Sequence, residues 1–154
     1  MKYSGFAAVL AIALLTAAPA LAGPVAAQGV TREEIVALMS ADGLPARIDK
    51  DSKGNVIVKS QFAGINFDVY FYDCEADRCR SIQFAAGWSN SHASAARINE
   101  WNTTKRYLRV YSKPGRVLWA EQDAVVSRGT TENIDDALTW WERMITQFKT
   151  FMNL

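Results

Sequence analysis

From Ile65 to Tyr72 the chain alternates without a break. Ile65, Phe67, Val69 and Phe71 are apolar, and Asn66, Asp68, Tyr70 and Tyr72 stand between them. Period-two alternation defines a strand with one face buried and one amphipathic face turned outward. A short segment bounded by Cys74 and Cys79 follows, and then Arg80 to Ala86, in which Ile82 and Phe84 continue the inward set. Two half-buried strands joined by a tight turn make an antiparallel hairpin. The chain therefore builds a sheet with one face to cover.

The remaining segments supply the cover. Ile134, Leu138, Trp141, Ile145, Phe148 and Met152 recur at spacings of four and three, the apolar stripe of a long amphipathic helix. Trp140 falls about 100° round that helix, as peripheral core or an exposed contact. Thr31-Arg32-Glu33-Glu34 has the form of a capping box, with Thr31 as N-cap. Ile35, Leu38 and Met39 follow at helical spacing until Gly43 and Pro45 end the helix. Strands are expected near Ala46 to Asp49 and over Val56 to Phe62, with a polar turn from Asp51 to Asn55 between them. A helix from about Ser94 to Lys105 precedes strands at Tyr107 to Ser112 and Val117 to Gln122, joined across Pro114-Gly115. The order α-β-β-β-β-α-β-β-α predicts an α+β fold, an antiparallel sheet with helices packed on it, over residues 31–154.

The amino-terminal residues predict export. Lys2 precedes an apolar or small run from Phe6 to Ala18, and Ala20-Leu21-Ala22 offers a signal peptidase small residues before Gly23. Residues 1–22 read as a cleavable signal peptide, with Val25-Ala26-Ala27 as an alternative cut, and residues 23–30 read as a flexible leader. An uncleaved anchor is the competing reading, but the apolar run is shorter than the ~20 residues a spanning helix needs. Cleavage removes one lysine and no acid, leaving 16 basic and 16 acidic residues. A neutral chain lacks the cationic excess that general nucleic-acid or anionic-membrane binding requires. Periplasmic or secreted location and no stable membrane insertion after cleavage are the expectations.

An even cysteine count in an exported chain reads first as a disulfide, here Cys74 with Cys79 at the mouth of the hairpin. A metal site is the alternative. It needs about four ligands, and beyond the two thiols the chain holds one histidine, His92.

Several stretches together resemble the YbjN domain family of bacteria. They are Phe71 to Glu75, Arg78 to Phe84, Asn99 to Asn102 with Lys105 to Tyr107, and Ala137 to Trp141 with Phe148. The resemblance implies a fold similar to the dimeric chaperones of type III secretion and a role labelled sensory transduction regulation. It implies no enzyme activity, cofactor or catalytic residue.

The residues themselves offer little chemistry. Asp49 to Gly54 suggests a calcium loop, but Lys53 stands where an oxygen ligand belongs and Ser60 where a bidentate Glu belongs, so a hairpin turn is expected. His92 has Ser89, Ser91 and Ser94 nearby but neither a nucleophile elbow nor a third partner. Asn102-Thr103-Thr104 matches a glycosylation sequon inside an expected helix. From Asn99 to Arg116, Lys105, Arg106, Arg109, Lys113 and Arg116 interleave with Trp101, Tyr107 and Tyr111. Such a segment can grip acidic ligands or stack bases, and it can equally be a polar strand face whose long stems cover apolar surface. Trp101 falls three residues after Ile98 and is expected in the core.

If Leu108 and Val110 point inward, then Tyr107, Arg109 and Tyr111 share the outer face of the sheet with Tyr70 and Tyr72. Tyrosine and arginine are enriched at interface hot spots. This face is the expected partner-binding or self-association surface of a non-enzymatic, chaperone-like module, with a protein partner and a homodimer expected. A small-ligand sensor and an enzyme with a dispersed site are the competing classes. An apolar cavity would favour the sensor; a wide amphipathic groove would favour the binding module.

Overall fold

The computed structural model describes residues 23–89, 91–115 and 117–154; the expected signal peptide lies outside the described residues. In chain order the elements are α1 (Arg32–Ala41), β1 (Ala46–Lys50), β2 (Val56–Phe62), β3 (Ile65–Glu75), β4 (Arg78–Trp88), α2 (Ala95–Thr104), β5 (Arg109–Lys113), β6 (Val117–Val125) and α3 (Thr131–Met152). The strands form one antiparallel sheet in the order β1-β2-β3-β4-β6-β5.

Strand parity decides what covers this sheet. Val69 lies opposite Phe84, and Phe71 opposite Ile82, so the apolar sets of β3 and β4 share one face. Trp141 of α3 is fully buried against them, its ring centroid 5.5 Å from Phe67 and 5.7 Å from Phe84. About two turns further along α3, Phe148 receives Trp88 at 5.5 Å and the edge of Trp101 at 5.1 Å. Trp101 comes from α2 and donates its indole N–H to the Leu108 carbonyl at 3.1 Å, so its polar atom is satisfied inside the core. Met144 joins the expected buried stripe of α3, while Met152 at its end is half-buried.

The capping box of α1 forms as read. The Glu34 backbone N–H donates to Thr31 Oγ1 at 3.2 Å, and the Thr31 N–H donates to Glu34 Oε2 at 3.0 Å. Glu34 also takes the Arg78 guanidinium at 2.7 Å, tying this helix start to the β3–β4 turn.

Residues 23–30, expected as a leader, run along the domain. The Val30 and Cys79 backbones exchange both hydrogen bonds, at 3.0 and 2.8 Å, and Arg78 donates to the Gly29 carbonyl at 2.7 Å. Gly29 has φ +94°, and a Cβ there would sit 1.9 Å from the Cys79 carbonyl oxygen. Glycine is required at this position by both conformation and space. Because the N–H and C=O of Cys79 both address Val30, its pairing with Cys74 is of the non-hydrogen-bonded kind, which brings opposed Cα atoms closest. These two residues are disulfide-bonded with Cα atoms 3.9 Å apart. Among the described residues no helix is long and apolar enough to cross a membrane.

Trp141→Ala is expected to destabilise the fold by about 3–5 kcal/mol in chemical denaturation, as large-to-small core changes do. Trp140→Ala should cost clearly less, because that ring is half-buried and stacks on Tyr107 at 4.5 Å. Thiol titration of the denatured, unreduced protein should find no free cysteine. Reduction should cost about 2 kcal/mol in the loop-entropy model for so short a ring.

Candidate functional site

The buried face of β3 holds Phe67 and Val69, so Tyr70 and Tyr72 must emerge on the other side. The pairings carry this parity across the sheet. Tyr70 is opposite Gln83, which is opposite Asp123; Asp68 is opposite Ala85, then Glu121, then Arg109; Tyr111 is opposite Trp119. Leu108 and Val110 are buried as expected, which puts Arg109 and Tyr111 on the outer face with Tyr70 and Tyr72. Four of the five expected surface residues therefore share one face.

Tyr107 does not. The strand begins at Arg109, and Tyr107 has φ +71°, which breaks the alternation before the strand starts. Its ring turns to the helical side and stacks on Trp140. The basic–aromatic segment is thus divided among three places: Trp101 in the core, Tyr107 on α3, and Arg109, Tyr111 and Lys113 on the sheet. Lys113 lies with its Nζ 3.8 Å from the Trp119 ring centroid. Arg116 lies outside the described residues.

Glu121 organises the centre of the outer face. Only 7% of it is exposed, and an unpaired carboxylate at that depth would be strongly disfavoured. Arg109 donates to Oε2 at 2.6 Å, and the Tyr111 hydroxyl donates to Oε1 at 2.5 Å. Beside this cluster, the Tyr72 hydroxyl donates to Gln83 Oε1 at 3.3 Å, and Gln83 donates onward to Asp123 at 2.8 Å. The Tyr70 hydroxyl donates to Asp68 at 3.4 Å. Burial raises the Asp68 pKa from its ordinary value. A hollow of about 650 Å³ runs over this face, lined by the Asp51–Lys53 turn, Ile57, Tyr70, Tyr72, Gln83, Lys113, Trp119 and Glu121. Its wall mixes aromatic rings with charged ends. Trp119, Gln83 and Glu121 were not singled out in the sequence, although Trp119, Glu121 and Asp123 alternate with Leu118, Ala120 and Gln122 and so carried a readable signal.

The other candidates have local duties. Asp51 accepts from the backbones of Lys53 and Asn55 and from the Asn55 side chain, at 2.8–2.9 Å, which closes a hairpin turn. Among the described residues no group of three or more His, Cys, Asp or Glu is placed to hold a metal ion. His92 is exposed, while Ser91 accepts from the Ala93 N–H and Ser94 caps α2 through the Arg97 N–H. Asn102 uses its side-chain amide on both backbone groups of Val110, at 2.8 and 3.0 Å, a geometry a glycan on that nitrogen would remove.

A one-sheet α+β domain with its described helices on one face and a tyrosine–carboxylate network on the other is the class these observations define. Residues 31–153 match the model of the YbjN family, described as "Putative bacterial sensory transduction regulator", and the chain belongs to that family. No curated protein and no solved structure matches the chain.

Burial and then the Asp68 charge push Tyr70 up to about 12, and burial and then Glu121 do the same for Tyr111. A raised folded-state value means the folded protein holds the phenolic proton more tightly than the unfolded chain. The associated stability is intact below pH 10 and is lost as pH climbs from 10 toward about 12. Absorbance titration of phenolate should show lagging phenols in that interval, and Tyr111→Phe should remove one of them.

Proposed function

We propose that this chain is an exported, non-enzymatic binding module that holds a protein partner against the outer face of its sheet. The observation that carries the reading is the one-sided cover. The helices pack against the face bearing Phe67, Val69 and Phe84, and the opposite face presents Tyr72 at 47% exposure and Val125 at 79% among Tyr111, Trp119 and Lys113. Tyrosine, tryptophan and arginine combine apolar area with polar tips and dominate the energetics of protein interfaces. The hollow there is wide and amphipathic, which suits a polypeptide better than an enclosed apolar ligand. Export is supported by the pattern of residues 1–22, and a regulatory role by the family description.

A second reading, a small-ligand sensor, draws on a more apolar hollow of about 460 Å³ between residues 24–30, α1 and the start of α3, walled by Val25, Leu38 and Ile134.

Photo-crosslinking in the exported compartment separates these. A photoreactive residue at Tyr72 is expected to yield adducts with another polypeptide, while one at exposed Asp136 on the helical side should yield few. Tyr72→Ser with Lys113→Glu should abolish the adduct formed from a probe at Val125 without changing circular dichroism. Adducts from Asp136 alone would reject the outer face as the binding surface.

A further inference from the structure

The sheet has two edge strands, and the structure treats them differently. At β5 the Asn102 side chain occupies both the N–H and the C=O of Val110, so that edge is closed to another strand. At the end of β4, beyond its pairing with β6, Val30 takes both backbone groups of Cys79. Among the described residues the edge of β1 has no such paired cover, only the Asp49 carboxylate on the Lys50 N–H, and Ile48 at its centre is 43% exposed.

The direction of the β1 backbone groups follows from two hydrogen bonds. The Asp51 N–H donates to the Asn55 carbonyl at 2.9 Å, continuing the ladder to β2. Alternate residues of a strand address opposite sides, so Asp49 and Arg47 also face β2, and Lys50, Ile48 and Ala46 face the open edge. In agreement, the Lys50 N–H is taken by the Asp49 carboxylate at 2.8 Å and not by β2.

We infer that the open edge of β1 pairs with β1 of a second copy, antiparallel about a two-fold axis through Ile48. The sequence Ala46-Arg47-Ile48-Asp49-Lys50 is self-complementary in that register. Ile48 meets Ile48 of the second copy and exchanges both backbone hydrogen bonds with it. Ala46 and Lys50 do the same with one another once the Asp49 carboxylate releases the Lys50 N–H. Arg47 lies opposite Asp49, and Asp49 opposite Arg47, on the outer face. A slip by two residues to either side, the smallest that keeps the same backbone groups facing, sets Arg47 opposite Arg47 or Asp49 opposite Asp49, so the register is specified by charge as well as by pairing. Within one chain Asp49 is shared by Arg47 at 3.2 Å and Lys59 at 3.3 Å; the Arg47 pair, with side-chain exposures of 69% and 38%, is a weak surface contact that can exchange for the intermolecular one while Lys59 stays in place. The seam is short, and α1 beside it adds contact on the helical side. Its area belongs at the low end of specific interfaces, so a weak, concentration-dependent dimer is expected. This surface lies along the sheet edge and is independent of the outer-face reading.

Sedimentation equilibrium of the protein, expressed with its own amino-terminal residues and purified after export, tests the seam. Wild type should move from one to two chain masses across the micromolar range. Arg47→Asp alone and Asp49→Arg alone should each weaken the dimer at least tenfold, because each sets like charges opposite one another. An equimolar mixture of the two variants should restore association to near the wild-type level, since every opposed pair is then of opposite sign. A wild type that remains one chain mass at millimolar concentration overturns the inference, as does a dimer unmoved by either reversal or a mixture of folded variants that stays apart. If a reversal prevents folding, Ile48→Lys decides: loss of the dimer in a protein with wild-type circular dichroism supports the seam, and an undiminished dimer rejects it.

Discussion

Trp141 lies between Phe67 and Phe84, and the rest of the molecule depends on that contact. A sheet residue has only two directions available, so fixing Phe67 and Phe84 against an indole fixes every other residue of β3 and β4. Through the pairings, it also fixes the neighbouring strands. Val69 and Ile82 enter the core, and Tyr70, Tyr72 and Gln83 are turned away from it. The composition of the outer face is thus a consequence of how the inner face is packed. Gln122 shows how firm the rule is. Its position on β6 sends it inward, where it donates to the Ala137 carbonyl of α3 at 2.7 Å and stays buried.

The same rule explains what the sequence made legible. Where alternation or helical spacing ran for several residues, as in 65–72 and along α3, element type and facing could be read directly. The Thr31–Glu34 cap could be read because its chemistry is local. Facing failed at Tyr107, where a left-handed residue interrupts the alternation; nothing in the residue type announces φ +71°. The Glu121 cluster was hidden for a different reason. Arg109, Tyr111 and Glu121 sit on two strands joined by a turn, and only the register brings Arg109 opposite Glu121. A one-residue slip would have dissolved the cluster without altering a single local preference. The disulfide was legible because the hairpin that positions it was.

Long-range polar contacts were beyond reach. Arg78 holds Glu34 of α1 and the Gly29 carbonyl together, and Asn102 substitutes for a strand at Val110. Neither is implied by spacing, because each joins segments that become neighbours only after the sheet exists. Both act where an element would otherwise leave backbone groups or a helix start unsupported. Side chains here finish what strand pairing leaves incomplete, fully at Val110 of β5 and at a single N–H, that of Lys50, on β1.

The seating of residues 23–30 carries a further consequence, one of timing. Gly23 meets Thr131, 108 residues later in the chain, and Gly29 fits only against the finished backbone of Cys79. The place these residues occupy is made by the hairpin turn and by the start of α3, so it does not exist until both have formed. Contacts of such sequence separation carry the largest loop-closure cost and come late in folding. Residues 23–30 are therefore seated only after the elements that hold them. Until then their backbone groups lack the partners that the folded domain gives them at Cys79, Gly129 and Thr131.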